Sequence, residues 1–272
     1  MYFIGAVPDK DITKVALYDG DYRLVIRKDG AADVKALCLD VMEDAGISPS
    51  DVSFVGIASD TPDPDAYALG LEKELGIKCC GASVIGARAL GEAYTSGDLS
   101  TLVLLKVDDT IDCGIVIDKK IYDGIDHKGG SIAHFVINYG GYDCECGRKG
   151  CFEAYASNKG LRHIAADAGV KDADTLTVKK LFTLDSPEAE VAKTNYVNFL
   201  ACGITNVINL FQPRELVLEG EYTEVGYQLM SPLMDFLLRE QYTHSAPNKC
   251  NVRTPNNESD TALLGAALIG RD

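Results

Sequence analysis

The chain opens on a short unbroken apolar run, Tyr2-Phe3-Ile4-Gly5-Ala6-Val7, which has the length and composition of a buried strand. Lys14 to Tyr18 and Tyr22 to Ile26 predict two more strands, with the hairpin signal Asp19-Gly20-Asp21 between them. From Ala31 to Ala45 the period changes from strand to helix. Val34, Leu37, Cys38, Leu39, Val41 and Met42 form a broad apolar stripe, and Gly46 supplies a stop. Val52 to Ala58 predicts another strand. Pro62-Asp63-Pro64-Asp65 breaks the chain. Ala66 to Leu75 predicts a helix ending at Gly76, Ile77 to Cys80 a short strand, and Ser83 to Tyr94 a further helix.

The same order then returns. Thr101 to Val107, Cys113 to Ile117 and Lys120 to Tyr122 predict a second three-stranded meander. Helices are predicted over Phe152 to Ala168 (with Gly169 as a stop), Thr177 to Phe182, and Glu188 to Phe211, where Gln212-Pro213 ends the last. Glu215 to Leu218 and Asn251 to Arg253 predict strands, and Val225 to Arg239 a helix. Asp260 to Ile269 closes the chain as a small-residue helix suited to close packing. Two meanders, each followed by helices and further strands, predict an α/β fold with internal duplication.

Between the halves lies the stretch with the densest chemistry. Cys144, Cys146 and Cys151 form a C-x-C-x4-C run, and His134 stands ten positions ahead of it. Three soft thiolates and one imidazole are the ligand set of a closed tetrahedral zinc site. Gly147 and Gly150 sit where a chain turning around an ion needs positive φ or close backbone approach. Cys38, Cys79, Cys80, Cys113, Cys202 and Cys250 show no ligand spacing among themselves and are expected as small buried apolar residues.

Composition narrows the function classes. The 272 residues suffice for one large domain or two moderate lobes, and 46% are hydrophobic. No stretch has the ~18 apolar residues of a membrane span, and no signal-peptide pattern is visible. Nine cysteines without such a signal point to a reducing cytoplasm. A formal charge of −15, with 26 Lys and Arg scattered along the chain, argues against nucleic acid and anionic membrane as direct partners.

Cys144 to Glu153 reads C-x-C-G-x-x-G-C-x-E. Gly130-Ser131-Ile132-Ala133-His134, Ala89-Leu90-Gly91-Glu92, Phe211-Gln212-Pro213 and Asp260 to Ala267 accompany it. In these segments, and over essentially its whole length, the chain resembles the ROK family of repressors, open reading frames and sugar kinases. The resemblance implies a two-lobed actin-like, hexokinase-like (ribonuclease H-like) ATPase fold with a zinc knuckle of His134, Cys144, Cys146 and Cys151. The expected division is a small lobe over residues 1–104, with the C-terminal helix 259–272 packing back on it, and a large lobe over 105–258. The resemblance also implies a homodimer paired near the knuckle.

The kinase parts of that pattern are altered. Where the family has D-x-G-G-T after the first strand, this chain has Val7, Pro8, Asp9, Lys10 and Asp11. Where it has G-T-G-x-G-G-G, this chain has Asp108, Asp109, Thr110, Ile111, Asp112, Cys113 and Gly114. The adenosine-side glycines become Glu219-Gly220-Glu221. Ser83 and Val84 stand at the Asn-Asp pair that carries the general base, and valine takes no proton. On the sugar side Ser131 replaces a glutamate, while His134 and Glu153 remain as candidate contacts to a small sugar. The leading expectation is a zinc-stabilised pseudokinase that acts by binding or assembly. Two alternatives stand beside it. One is an active Mg-ATP-dependent sugar kinase using Asp60 or Glu92 as base. The other is a sugar-sensing regulatory module that lacks the family repressors' DNA-reading segment and works through a separate DNA-binding chain.

Overall fold

A computed structural model describes residues 1–97, 100–125, 129–240, 250–256 and 260–271. In chain order the elements are β1 (Tyr2–Val7), β2 (Thr13–Tyr18), β3 (Leu24–Gly30), α1 (Val34–Asp44), β4 (Val52–Ala58), α2 (Pro64–Leu75), β5 (Cys79–Ala82) and α3 (Val84–Thr95). Next come β6 (Thr101–Val107), β7 (Ile111–Ile117), β8 (Lys120–Ile121), α4 (Glu153–Ala156), α5 (Asn158–Asp167), α6 (Val178–Thr183) and α7 (Pro187–Phe211). The chain ends with β9 (Glu215–Gly220), α8 (Tyr222–Val225), α9 (Tyr227–Glu240), β10 (Asn251–Arg253) and α10 (Thr261–Leu268). The first sheet runs β3-β2-β1-β4-β5 and the second β10-β9-β6-β7-β8. Numbered from its own first strand, each sheet has the order 3-2-1-4-5, so the duplication predicted from the recurring pattern is present in the topology.

The chain divides into two compact units, one of Met1–Val103, Gly114–Gly130 and Asn256–Asp272, the other of Leu104–Cys113 and Ser131–Pro255. Against the expected division into 1–104 with 259–272, and 105–258, Leu104 falls in the second unit, and Gly114–Gly130 and the segment from Asn256 fall in the first. Of the helix expected over 259–272, positions 259 and 272 lie outside the described residues, and α10 covers Thr261–Leu268.

In the first unit β1 pairs antiparallel with β2 and parallel with β4. Ile4, Val15, Leu17, Val55 and Ile57 from the sheet, with Leu37 and Val41 from α1 and Leu71 from α2, form one core. On α10 every side chain is buried. Its backbone comes so close to the sheet that a Cβ on Gly56 would lie 1.8 Å from the Ala266 carbonyl oxygen, and one on Gly265 would lie 1.7 Å from that of Ala87 in α3. Glycine is therefore required at both positions on steric grounds.

In the second unit α7 buries Tyr196, Leu200 and Ile204, and the Phe152 ring lies against Gly203 of the same helix. The single helix predicted over 152–168 is divided. Ser157 is extended (φ −70°, ψ 169°) and its Oγ caps the Gly160 amide of α5, a geometry serine favours at helix starts. The helix predicted from Val225 is interrupted by Gly226 at positive φ. Pro64 is the first residue of α2 under an Asp63 cap and not a break. β3 starts two residues late because Tyr22 takes positive φ and donates its amide to Asp19 O. Gly56→Ala is expected to lower the unfolding free energy by more than about 2 kcal/mol, read from urea denaturation of the full chain, because the added carbon meets backbone that cannot move aside.

Candidate functional site

His134 ends a single 3-10 turn, Ile132–His134, and the three cysteines lie on the loop that follows. Two antiparallel bridges, Val136 with Cys151 and Asp143 with Lys149, fold that loop back on itself. Cys144 N donates to Arg148 O and Gly147 N to Cys144 O, both at 2.9 Å, closing the tip. Gly147 and Gly150 have φ of 85° and 78°, and a Cβ on Gly150 would stand 1.8 Å from Asn138 O. The glycine requirement read from the sequence is met at both.

The ligand atoms of His134, Cys144, Cys146 and Cys151 all lie within 4.8 Å of one another, which lets them hold a metal ion. Cys144 Sγ is 3.6 Å from His134 Nδ1, and Cys146 Sγ is 3.6 Å from Cys151 Sγ. Metal bonds of 2.0–2.3 Å in a tetrahedron give edges of about 3.5–3.8 Å, which these two separations match. The thiols differ before any ion binds. The backbone and guanidinium of Arg148 hold the exposed Cys146 thiol down to about 6. Burial pushes the Cys151 thiol up to about 12. Arg148 carried no signal in the sequence beyond its place inside the loop. Cys38 and Cys79 are buried as expected, while Cys80, Cys113, Cys202 and Cys250 are half-buried.

The other predicted positions show a common feature: acceptors from the chain meet the backbone amides. In the β1–β2 turn, Pro8 has no amide proton and Lys10 N donates to Asp9 Oδ1 at 2.6 Å. At the start of β7, Ile111 N donates to Glu153 Oε2 at 2.9 Å. At the end of β9, Gly220 (φ 140°) leads into Glu221, whose amide donates to Asp108 Oδ1 at 3.3 Å. Asn158 braces the β6–β7 turn from α5, donating its amide to Asp108 O and its Nδ2 to Asp109 Oδ1. Lys106 Nζ lies 3.5 Å from Asp108 Oδ2. Asp108, Asp109 and Asp112 do not assemble a second metal cluster among the described residues.

Val84 is the first residue of α3, where Ser83 Oγ caps Gly86 N and Asp60 Oδ1 accepts the Val84 amide at 3.3 Å. Glu92 is 1% exposed and accepts from Asn256 N. Glu153 is therefore brought to the Ile111 amide, and His134 to the cysteines.

Comparison with known proteins follows the same lines. The family model described as ROK family matches residues 67–272. The chain belongs to the ROK family. A xylose repressor of Bacillus spizizenii is 27% identical over 143 residues, 53% of this chain and 36% of the repressor. A glucokinase of Halalkalibacterium halodurans is 28% identical over 162 residues, 53% of this chain and 49% of that enzyme. The chain thus spans about a third to a half of the curated relatives it matches. The crystal structure of a ROK hexokinase from Thermus thermophilus superposes with a TM-score of 0.83 at 20% identity, covering 99% of this chain and 97% of the other. That match shows the fold, an α/β sugar-kinase fold of two sheets. Among the described residues no helix is long and apolar enough to cross a membrane.

Glu153→Ala should lower stability by about 1.5–3 kcal/mol, the usual worth of a charge-assisted hydrogen bond, in guanidinium unfolding. Glu153→Gln, which keeps an acceptor, should lose less.

Proposed function

We propose that this ROK protein does not transfer phosphate and acts as a zinc-stabilised binding protein that assembles as a homodimer. The supporting observation is the fate of the amides at the three altered loops. Lys10, Ile111 and Glu221 each donate to a carboxylate of the chain itself. Backbone amides cradle a phosphate only when they are left open to it. A phosphate brought within ~4 Å of one of these carboxylates meets a repulsion of up to about 4 kcal/mol at an effective dielectric of ~20. Val84 offers no base in place of the missing aspartate. Use of Asp60 or Glu92 with Mg-ATP is disfavoured, because Asp60 accepts the Val84 amide and Glu92 is enclosed.

The zinc part of the reading rests on the spacing of His134, Cys144, Cys146 and Cys151. The knuckle also exposes Tyr139, at 96%, and Val136, at 41%. These apolar positions suit the face through which two copies would pair. A small sugar remains a candidate ligand near His134. A regulatory reading draws on the xylose repressors among the relatives, with a separate DNA-binding chain as the partner. Recovery of such a chain with the tagged protein separates it from the homodimer.

A coupled phosphotransfer assay across hexoses, N-acetylhexosamines and nucleotides should read background. Turnover above ~1 s⁻¹, within the ordinary enzyme range, overturns the reading. Metal analysis after purification without chelators should find about one zinc per chain, and Cys146→Ser should lower both metal content and stability. Light scattering on a sizing column should give twice the chain mass.

A further inference from the structure

The loop carrying the cysteines is pinned by a residue that contributes no ligand. Tyr155 lies in α4, four positions after Cys151, and is 2% exposed. Its hydroxyl oxygen accepts from Asn138 Nδ2 at 2.8 Å and from the Tyr142 amide at 3.0 Å. Those donors sit on the two limbs of the loop, one just after His134 and one just before Cys144. The Tyr155 ring stacks on Tyr142 at 4.5 Å between centroids and meets Phe199 of α7 at 4.2 Å. Gly141 makes room, since a Cβ there would lie 1.8 Å from the hydroxyl oxygen. Tyr142 in turn donates its own hydroxyl to Asp167 of α5 and takes the edge of His163 at 5.1 Å.

We propose that Tyr155 is a positioning residue that sets the cysteine loop before a metal ion arrives. This rests on the zinc reading of the four ligands. Ordering a free loop costs about 1–2 kcal/mol per residue in backbone entropy, and in many small metal sites the ion offsets that cost on binding. Here the two limbs are joined through one hydroxyl to a buried helix by bonds that involve no ligand atom. The ion then meets ligands already within 4.8 Å of each other. Without the hydroxyl, part of the ordering falls to the metal, and affinity drops.

The test uses the full chain, wild type and Tyr155→Phe, which keeps the ring and removes only the oxygen. Zinc affinity is measured by chelator competition, cobalt(II) absorption reports the ligand set, and amide hydrogen exchange is followed at Tyr142 in the metal-free protein. Tyr155→Phe is expected to bind zinc 10- to 100-fold more weakly, the loss seen when groups that orient ligands are removed. Its cobalt bands should match wild type, because the four ligands are unchanged. The Tyr142 amide should be protected in metal-free wild type and exchange faster in the variant. Asn138→Ala, which leaves the tyrosine in place, should weaken binding by a smaller factor, and covers the case of a poorly folded Tyr155→Phe. Equal affinities in a metal-binding wild type, or an unprotected Tyr142 amide in metal-free wild type, overturn the proposal alone. A wild type that takes up neither zinc nor cobalt overturns the zinc reading and this proposal with it.

Discussion

The hydrogen bond from the Ile111 amide to Glu153 Oε2 holds together two parts of the chain 42 residues apart. Glu153 begins α4 two residues after the last cysteine, and Ile111 begins β7. The bond continues into others. Asn158, at the start of α5, donates to Asp108 and Asp109 in the β6–β7 turn, and Asp108 accepts the amide of Glu221 ahead of α8. A turn, two helix starts and the exit of β9 are thereby joined through carboxylates and one asparagine. Sheltered amides left without acceptors would cost about 1–3 kcal/mol each, so each of these acids stabilises the turn it caps.

The cysteine loop and the three altered turns use backbone geometry in opposite ways. Around the cysteines, glycines at positive φ let the chain bend until four ligand atoms converge, and the amides there bond to the loop's own carbonyls. At two of the turns Asp9 and Asp108 stand where the family pattern has glycine and supply the acceptors, while the Ile111 amide is met by Glu153 from α4. Glu153 and His134 were both expected from the sequence as sugar contacts. One is bonded to a backbone amide and the other lies beside a thiol.

Much of this was legible in the sequence because it depends on local spacing. The cysteine run, its histidine and its two glycines lie within eighteen residues, and the recurring strand pattern announced two sheets that prove to share one strand order. Features that depend on distant partners were not legible. Glu153 read as a candidate sugar contact, and its partner, the Ile111 amide, lies 42 residues upstream. Tyr155 stood in a run of apolar residues with nothing to mark its hydroxyl. Ser157 divides a helix because its Oγ caps the next one, a local competition that a continuous apolar stripe conceals. Pro64 reads as a breaker until Asp63 is seen to cap the helix it begins.

An anion-binding loop has to hold its amides ready, and that readiness has a cost whenever the anion is absent. An acceptor carried by the chain itself removes that cost. Replacing one glycine by any side chain would already crowd the loop. Replacement by aspartate also supplies the acceptor, as at Asp9 and Asp108, so one substitution removes the standing cost and adds charge of the same sign as a phosphate. Pro8 reaches the same end by removing a donor outright. The three altered turns share a device, a carboxylate of the chain set against a backbone amide, whereas in the cysteine loop, turned at Gly147 and Gly150, four ligand atoms converge.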